Sequence, residues 1–360
     1  MADGRDVARL RLIRTRGIGP VTYGQLLARF GSAEAAIEAL PMLARRGGGT
    51  APQVADARIV EREIAAVALL GARHLFVDDP DYPALLTETE SAPPVLTIRG
   101  DLALAERPTV AMVGARNASA AACRFARMLA AALGERGITI VSGLARGIDT
   151  QAHVASLATG TVGVIASGID IAFPPENREL QAAVGAQGLL LAEQPLGEEP
   201  RARNFPSRNR IIAGLALGTV VVEAAPKSGS LITARLAAEA GREVMAVPGS
   251  PLDPRAQGCN ALIREGATLV QSADDIVEAI RPIDARAVRA ARTGFAGPPP
   301  DDATDADRRR VGELLGPVPV AVDELIRLSG LSPASVQTVL LELELADRID
   351  RHAGGRVSYR

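Results

Sequence analysis

Two segments of the sequence combine glycine with arginine in a way that suits the binding of phosphate. The first, Val113–Asn117 (VGARN), follows a short apolar run and precedes a helix that we expect to begin near Ser119. Free N–H groups at a helix N-terminus favour an anion, and the fork of donors on Arg116 can hold a phosphate bidentately. The second segment, Ser142–Asp149 (SGLARGID), also follows an apolar run. If the two turns lie side by side in a doubly wound sheet, they would follow a chain of phosphates rather than hold one isolated group.

A third segment, Arg201–Arg210 (RARNFPSRNR), surrounds one phenylalanine with four arginines in a chain that is only 2% aromatic. Arginines for a backbone and a ring for a base are the elements of a single-strand binding groove, in which each base–aromatic stack contributes about 1–3 kcal/mol. We expect Pro206 to prevent a regular helix through this segment. The alternative interpretation of Phe205 is an ordinary core residue.

The sequence favours binding over catalysis. It lacks the spaced glycines of a dinucleotide fingerprint, and Lys227–Ser230 lacks the glycines of a Walker A loop, so nucleoside triphosphate hydrolysis is unsupported. His153 and Asp149 have no recognisable nucleophile beside them and are interpreted as structural. The two cysteines, Cys123 and Cys259, predict neither a disulfide framework nor a zinc site. We expect no enzyme activity, cofactor or metal.

Charge and hydropathy restrict the partners. The chain has 40 Lys plus Arg against 42 Asp plus Glu, so a polyanion must be held by a local basic patch rather than by global attraction. The longest apolar run, Ile211–Val222, is too short to span a bilayer, and Met1–Arg16 lacks the apolar segment of a signal peptide. We therefore expect a cytoplasmic protein with no membrane partner.

The elements that must position these segments form an α/β core. Short β-branched runs alternate with helical stretches, which predicts a largely parallel sheet with helices on both faces. The predicted strands are Thr109–Val113, Ile138–Val141, Val162–Ile165, Leu189–Ala192, Thr219–Val222, Val244–Val247 and Thr268–Val270. Ligands of such sheets collect at the carboxyl ends of the strands, which is where the glycine and arginine segments lie.

The flanks of the core have a different character. We divide the chain into a helical domain over residues 1–75, an α/β core over 76–283, a disordered proline-rich and acidic linker over 284–307, and a winged helix over 308–360. Gly17–Pro20 resembles the turn of a helix-hairpin-helix, a module whose turn can bind a nucleic-acid phosphate; the alternative is a tight turn between packed helices. Ser332–Asp347, the third helix of the winged helix, contains no Lys or Arg. We expect that module to contact protein first and, through its wing, a nucleic-acid backbone second.

Taken together, these motifs resemble the bacterial DNA-processing protein A family, called DprA or Smf. The resemblance rests on five strings in the family's order, VGAR, SGLARGID, FPSRNRIIAG, VEA and VPG, which begin at Val113, Ser142, Phe205, Val222 and Val247. It implies an extended Rossmann core with a small helical, SAM-like N-terminal domain and a C-terminal winged helix. It also implies a homodimer that binds single-stranded DNA without sequence specificity, protects it and loads the RecA recombinase onto it during natural transformation. Single-strand-binding protein is a further partner under this hypothesis.

The resemblance assigns roles residue by residue. Arg116 and the Ser142–Gly143 turn would hold backbone phosphate, and Phe205 with two arginines after it would line the pocket. The full expected set is Gly114, Arg116, Asn117, Ser142, Gly143, Arg146, Arg203, Phe205, Arg208, Asn209, Arg210, Lys227 and Ser228. Some members carry a lysine three residues before the phenylalanine, where this chain has Ala202, and many have Tyr-Pro in place of Phe173-Pro174.

Two other classes of function remain as alternatives. One is a Rossmann-like nucleotide phosphoribohydrolase of the lysine-decarboxylase-like type, whose PGGxGTxxE signature is missing here. The other is a scaffold for recombination proteins with no affinity for DNA.

Overall fold

The computed structural model describes residues 3–89, 91–281, 302–352 and 354–360. The chain divides into two compact units. One combines the N-terminal segment up to Arg62 with the C-terminal segment that ends at Arg360, and the other begins at Glu63 and contains the α/β core.

The core is built on one sheet of nine strands among the described residues. In chain order these are β1 (Arg73–Phe76), β2 (Val95–Gly100), β3 (Thr109–Val113), β4 (Thr139–Ser142), β5 (Thr161–Ile165), β6 (Leu189–Ala192), β7 (Gly218–Val221), β8 (Glu243–Ala246) and β9 (Thr268–Leu269). Their order across the sheet is β1-β2-β6-β5-β4-β3-β7-β8-β9. All pairs from β6 to β9 are parallel, which confirms the predicted parallel sheet. The antiparallel strands β1 and β2 extend it beyond the prediction.

Helices cover both faces of this sheet, because successive residues of the central strands point to opposite sides. Val220 packs into one apolar cluster and Val221 into the other. The helices are α4 (Ala57–Leu69), α5 (Ala84–Thr87), α6 (Ala120–Glu135), α7 (Ile148–Ser156), α8 (Arg178–Gln187), α9 (Asn204–Leu215), α10 (Gly229–Glu239), α11 (Gln257–Arg264) and α12 (Ala273–Ile280). Strand order reverses between β3 and β7, so the crevice at the carboxyl ends of these two strands is the expected place for a ligand.

The terminal unit contains helices from both ends of the chain. Its N-terminal helices are α1 (Gly4–Arg14), α2 (Pro20–Phe30) and α3 (Ala33–Arg46). Its C-terminal part has α13 (Asp305–Leu314), β10 (Val320–Ala321), α14 (Val322–Ser329), α15 (Pro333–Leu345), β11 (Ile349–His352) and β12 (Arg356–Tyr359), with the strands in the order β10-β12-β11. Three helices and a small antiparallel sheet form the expected winged helix.

The third helix of the winged helix packs against the N-terminal helices. A Cβ placed on Gly47, just after α3, would lie 2.1 Å from the backbone oxygen of Glu342 on α15, so the two segments touch backbone to backbone. The Glu342 side chain is 1% exposed and accepts two hydrogen bonds from Arg308, at 2.7 and 2.8 Å. The helix without Lys or Arg is thus covered by the chain's own N-terminal segment.

Two of the expected domain limits meet regular structure. Strand β1 begins at Arg73, before the limit at residue 75, because it pairs with β2 at the edge of the sheet. The end of the expected linker is also helical rather than disordered, since Thr304 and Asp307 form a capping box that starts α13. The linker up to residue 301 lies outside the described residues, and the division into domains stays a prediction. In the described part of the chain, no helix is both long and apolar enough to cross a membrane.

Candidate nucleic-acid interface

A pocket of about 410 Å³ lies beyond the carboxyl ends of β3, β4 and β5. The turns after these strands and the first turn of α9 supply its walls. It is lined by Arg116, Asn117, Gly143, Ala145, Arg146, Ala166, Phe173, Pro174, Pro175, Pro200, Phe205 and Arg208. Six of these were expected from the sequence, so the fold brings together the two glycine turns and the arginine-rich segment.

The two glycine turns touch directly. Gly147 has a φ of 74°, and a Cβ there would lie 2.2 Å from the backbone oxygen of Ala115. The N–H of Ile148 donates to the same oxygen at 3.3 Å. The expectation that the turns lie side by side is therefore correct, and only glycine at position 147 permits the contact.

The arginine-rich segment is helical, which corrects the expectation that Pro206 prevents a helix there. Helix α9 begins at Asn204, so Pro206 lies in the first turn, where a missing N–H costs no intrahelical hydrogen bond. The Asn204 side chain donates to the backbone oxygen of Ala166 at 3.2 Å, which fixes this helix end beside the strand edge.

Two aromatic rings and a guanidinium group form one wall of the pocket. The ring centroids of Phe205 and Phe173 are 5.8 Å apart, with the planes tilted by 53°. The guanidinium carbon of Arg116 lies 5.2 Å from the centroid of the Phe205 ring, within the range of a cation–π contact. Phe173 is 42% exposed, so its ring is open to a ligand. Phe205 is half-buried rather than a core residue.

Arg208 forms the floor of the pocket. It is only 6% exposed, and a Cβ on Gly143 would lie 1.3 Å from its Nη1, so the guanidinium group lies directly on the glycine. Burial lowers the pKa of Arg208 to about 10, while the negative charge of Asp149 opposes this shift. Arg208 therefore carries its positive charge at neutral pH. Its buried Nε has no acceptor among the described residues.

The backbone donors of the Ser142–Asp149 turn are already engaged within the protein. The carboxylate of Asp149 accepts from the N–H groups of Gly143 and Ala145, at 3.1 and 3.3 Å. Ser142 is fully buried and its hydroxyl donates to the backbone oxygen of Met112, so it does not reach the pocket. The Ser142 side chain therefore points into the sheet, and the expected role of the Ser142–Gly143 turn in holding phosphate stays a prediction.

His153 completes the same turn and is structural. Its Nε2 accepts the N–H of Leu144 at 3.3 Å, so Nδ1 carries the proton and donates to Thr161 Oγ1 at 2.7 Å. Burial, together with the charge of Arg208, lowers the pKa of His153 to about 3. The ring is therefore neutral and serves to hold the turn against β5.

A neighbouring pocket of about 620 Å³ shares Arg116, Phe205 and Arg208 with the first. Its lining adds three more of the expected residues, Gly114, Asn209 and Ser228, and Asn117 lines both pockets. Lys227 is exposed and directly precedes Ser228, but it is not among the residues that line this pocket. Arg255 also lines this pocket, although it is not among the residues expected from the sequence.

The remaining expected arginines differ in position. Arg146 lines the first pocket and pairs with Glu176. Arg203 is exposed and lines neither pocket. Arg210 also lines neither, because it points to the other side of α9 and pairs with Glu193, and its role in DNA binding stays a prediction. Among the residues that the structure describes, no cluster of side chains has the composition of a metal site.

Comparison with known proteins identifies similar chains across the whole length. The family described as DNA recombination-mediator protein A matches residues 73–281, a DprA-like N-terminal HHH domain matches residues 3–66, and a DprA winged helix domain matches residues 296–355. Protein Smf of Synechocystis is 33% identical over an alignment that covers all of both chains. These matches, with the architecture above, confirm the fold class expected from the sequence.

Two solved structures are similar as well. The X-ray structure of DprA from Streptococcus pneumoniae aligns with a TM-score of 0.64 and 32% identity, over 77% of this chain and 98% of that one. A structure of DNA processing protein A from Helicobacter pylori, described in terms of its single-stranded DNA binding mode, aligns with a TM-score of 0.53 and 26% identity, over 57% of this chain and 94% of that one.

Proposed function

The chain belongs to the DNA recombination-mediator protein A family, and we propose that it binds single-stranded DNA without sequence specificity through the pocket of Phe173, Phe205, Arg116 and Arg208. In this proposal the protein protects the strand and loads RecA recombinase onto it during natural transformation and recombination. It acts in the cytoplasm as a homodimer, by binding rather than by catalysis. Single-strand-binding protein is a further proposed partner.

The observation that supports DNA binding most is the combination of open rings with buried positive charge. Two tilted rings 5.8 Å apart offer a base a stacking surface, and any base has a face that can stack. Arg116 lies over one ring, and the positively charged guanidinium group of Arg208 lies on Gly143 at the floor of the pocket, where its charge attracts a phosphate. Neither feature selects a base sequence, which supports non-specific binding. The similar protein of Helicobacter pylori is described as binding single-stranded DNA.

The test is binding of fluorescent oligothymidine to the full chain over a salt series. We expect Phe205→Leu, which keeps an apolar side chain but removes the ring, to weaken binding about five- to 150-fold, the equivalent of about 1–3 kcal/mol. Phe205→Tyr keeps the ring and should bind like the wild type. Arg116→Ala should weaken binding and reduce the slope of log affinity against log salt by about 0.7.

Arg136→Ala is the matched control for Arg116→Ala. Arg136 directly follows the last residue of α6, and Arg116 lies four residues before the first. Each variant therefore loses one exposed arginine near an end of the same helix. If Phe205→Leu and Arg116→Ala bind the oligonucleotide as well as Arg136→Ala does, the pocket is not the DNA site.

The proposed role in loading RecA is tested separately with the same variants. RecA filament formation on single-stranded DNA coated with single-strand-binding protein should be accelerated by the wild type and by Arg136→Ala. Phe205→Leu should lose this effect in proportion to its loss of DNA binding. Acceleration that persists in Phe205→Leu would separate the loading of RecA from this pocket.

A further inference from the structure

Glu223 occupies the place in this fold where Rossmann-type proteins bind the phosphates of a nucleotide. The sheet reverses direction between β3 and β7, and the helix that follows the first strand of such a pair normally offers its N-terminus to a pyrophosphate. Here that helix is α6, and Ser119 is its N-cap. Glu223 is the second residue after β7 and faces this helix end across the crevice.

The Glu223 carboxylate is bound tightly at that position. Its Oε1 accepts the N–H of Ser119 at 2.9 Å, and its Oε2 accepts the Ser119 hydroxyl at 2.7 Å. The same hydroxyl accepts the N–H of Ala122 at 3.1 Å, so the carboxylate extends the capping of α6 by one residue. The residue is 8% exposed. The negative charge at the helix N-terminus, which an anionic ligand would otherwise supply, is part of the chain.

The backbone of Glu223 closes the preceding turn as well. Its carbonyl oxygen accepts the N–H of Ala115 at 2.7 Å. A Cβ on Gly114 would lie 2.5 Å from the Ile148 side chain and 3.1 Å from this oxygen, so the turn after β3 is packed on both sides. The first glycine turn therefore has its shape without offering Ala115 N–H or Ser119 N–H to a ligand.

Glu223 is also separate from the aromatic pocket. It lines a third pocket, of about 580 Å³, between α6 and the ends of β7, β8 and β9, whereas Phe173 and Phe205 lie beyond the ends of β3, β4 and β5. A carboxylate here repels an anion in the crevice at the carboxyl ends of β3 and β7. An anion is then bound in the pocket of Phe173 and Phe205, where arginines supply the positive charge.

We propose that Glu223 is a specificity-determining residue that closes the N-terminus of α6 to the terminal phosphates of nucleoside diphosphates and triphosphates. The chain keeps a nucleotide-binding topology but accepts its ligand only through the adjoining arginines and rings. This inference deepens the proposed function, and rests on it only for the ligand that the aromatic pocket accepts.

The probe is inorganic pyrophosphate, whose binding is measured by calorimetry on the full chain. We expect Glu223→Gln, which keeps the size of the side chain and removes its charge, to bind pyrophosphate at least about tenfold more tightly than the wild type, because a like charge no longer opposes it. Glu239→Gln, at the exposed end of α10, makes the same change in net charge and should match the wild type. Wild-type binding as tight as that of Glu223→Gln, or no gain in Glu223→Gln, would overturn the proposal.

A second measurement needs no variant and decides the case if Glu223→Gln does not fold. In the wild type, adding pyrophosphate should leave the amide NMR signals of Ser119 and Ala121 at the start of α6 unshifted, because the Glu223 carboxylate already occupies this helix end. A saturable shift of these two signals on addition of pyrophosphate would show an open phosphate site at the N-terminus of α6 and overturn the proposal. If the wild type does not bind oligothymidine, the proposed function is wrong. The calorimetric comparison of the wild type with Glu223→Gln still tests whether Glu223 excludes pyrophosphate.

Discussion

Replacing Gly147 with alanine tests whether the contact between the two turns holds the pocket together. Gly147 lies where the second turn meets the first, with a φ of 74°. An alanine Cβ would lie 2.2 Å from the backbone oxygen of Ala115 and 2.8 Å from that of Arg116. Both atoms belong to the backbone, so no side chain can rotate away. The turns must separate, and the separation moves Arg116 from the Phe205 ring.

The expected loss of stability has two parts. At Gly147 the backbone, with a φ of 74° and a ψ of −122°, lies in a region that is essentially restricted to glycine, and this costs alanine about 1–3 kcal/mol. Separation of the turns adds about 1–3 kcal/mol, because it breaks the hydrogen bond from Ile148 to Ala115 and leaves buried groups unpaired. We expect Gly147→Ala to lower the free energy of unfolding by about 2–6 kcal/mol. Gly137 has a φ of 76° but open space around the position of a Cβ, so Gly137→Ala should show only a backbone cost, about 1–2 kcal/mol.

Urea unfolding of the full chain, followed by far-ultraviolet circular dichroism, measures this difference, and oligothymidine binding is measured on the same samples. Under conditions where both variants are folded, Gly147→Ala should bind the oligonucleotide more weakly than Gly137→Ala, because only the first displaces Arg116. Equal stability and equal binding of the two variants would refute the reasoning that the contact between the turns positions the site.

Three further predictions concern single side chains. Burial lowers the pKa of His153 to about 3, whereas an unfolded histidine has a pKa of about 6.5, so the unfolded state takes up a proton first as the pH falls. The free energy of unfolding should therefore decrease by up to about 1.4 kcal/mol per pH unit below pH 6.5. Acid unfolding of His153→Gln should show a shallower decrease. Glu342→Gln should destabilise the terminal unit by about 3 kcal/mol, because it weakens a buried ion pair with Arg308. Hydrogen exchange of the amides in α15 should become faster, and unchanged protection would contradict this prediction. Arg210→Met should lower the melting temperature, because it removes the ion pair between Arg210 and Glu193. It should leave the affinity for oligothymidine unchanged, and weaker binding would show that Arg210 contributes to the DNA site.

The strands of the core could be predicted because they are buried on both faces. Thr109–Val113 and Leu189–Ala192 are fully buried and read as continuous apolar runs, and their limits agree with the structure. Strand β1 could not be found in this way. Its sequence, Arg73–Phe76, is four residues long with two polar residues at its start, and it forms a strand because β2 pairs with it at the edge of the sheet.

The aromatic pocket was predicted in part, and its errors follow from one wrong element. Interpreting the segment after Arg201 as irregular gave no basis for sorting its arginines by direction. In a helix, Arg208 lies three residues after Phe205 and shares its face, whereas Arg210 lies five residues after it, rotated by about 140°. A proline in the first turn is compatible with a helix, so the sequence could have predicted which arginines lie on the same helix face as Phe205.

The engagement of the backbone donors is the part of the site that a local motif cannot show. A glycine turn before a helix predicts free N–H groups, but whether they stay free depends on acceptors from elsewhere in the chain. Glu223 is 104 residues from Ser119, and the two meet only because β7 pairs with β3. An acidic residue directly beyond a parallel strand that ends at the same edge is therefore the signal to look for. By that criterion, a glycine-rich turn in an α/β sheet binds an anion through its backbone N–H groups only when no carboxylate from a neighbouring strand accepts hydrogen bonds from them. In this chain Glu223 accepts them, so the anion must be bound by arginine side chains.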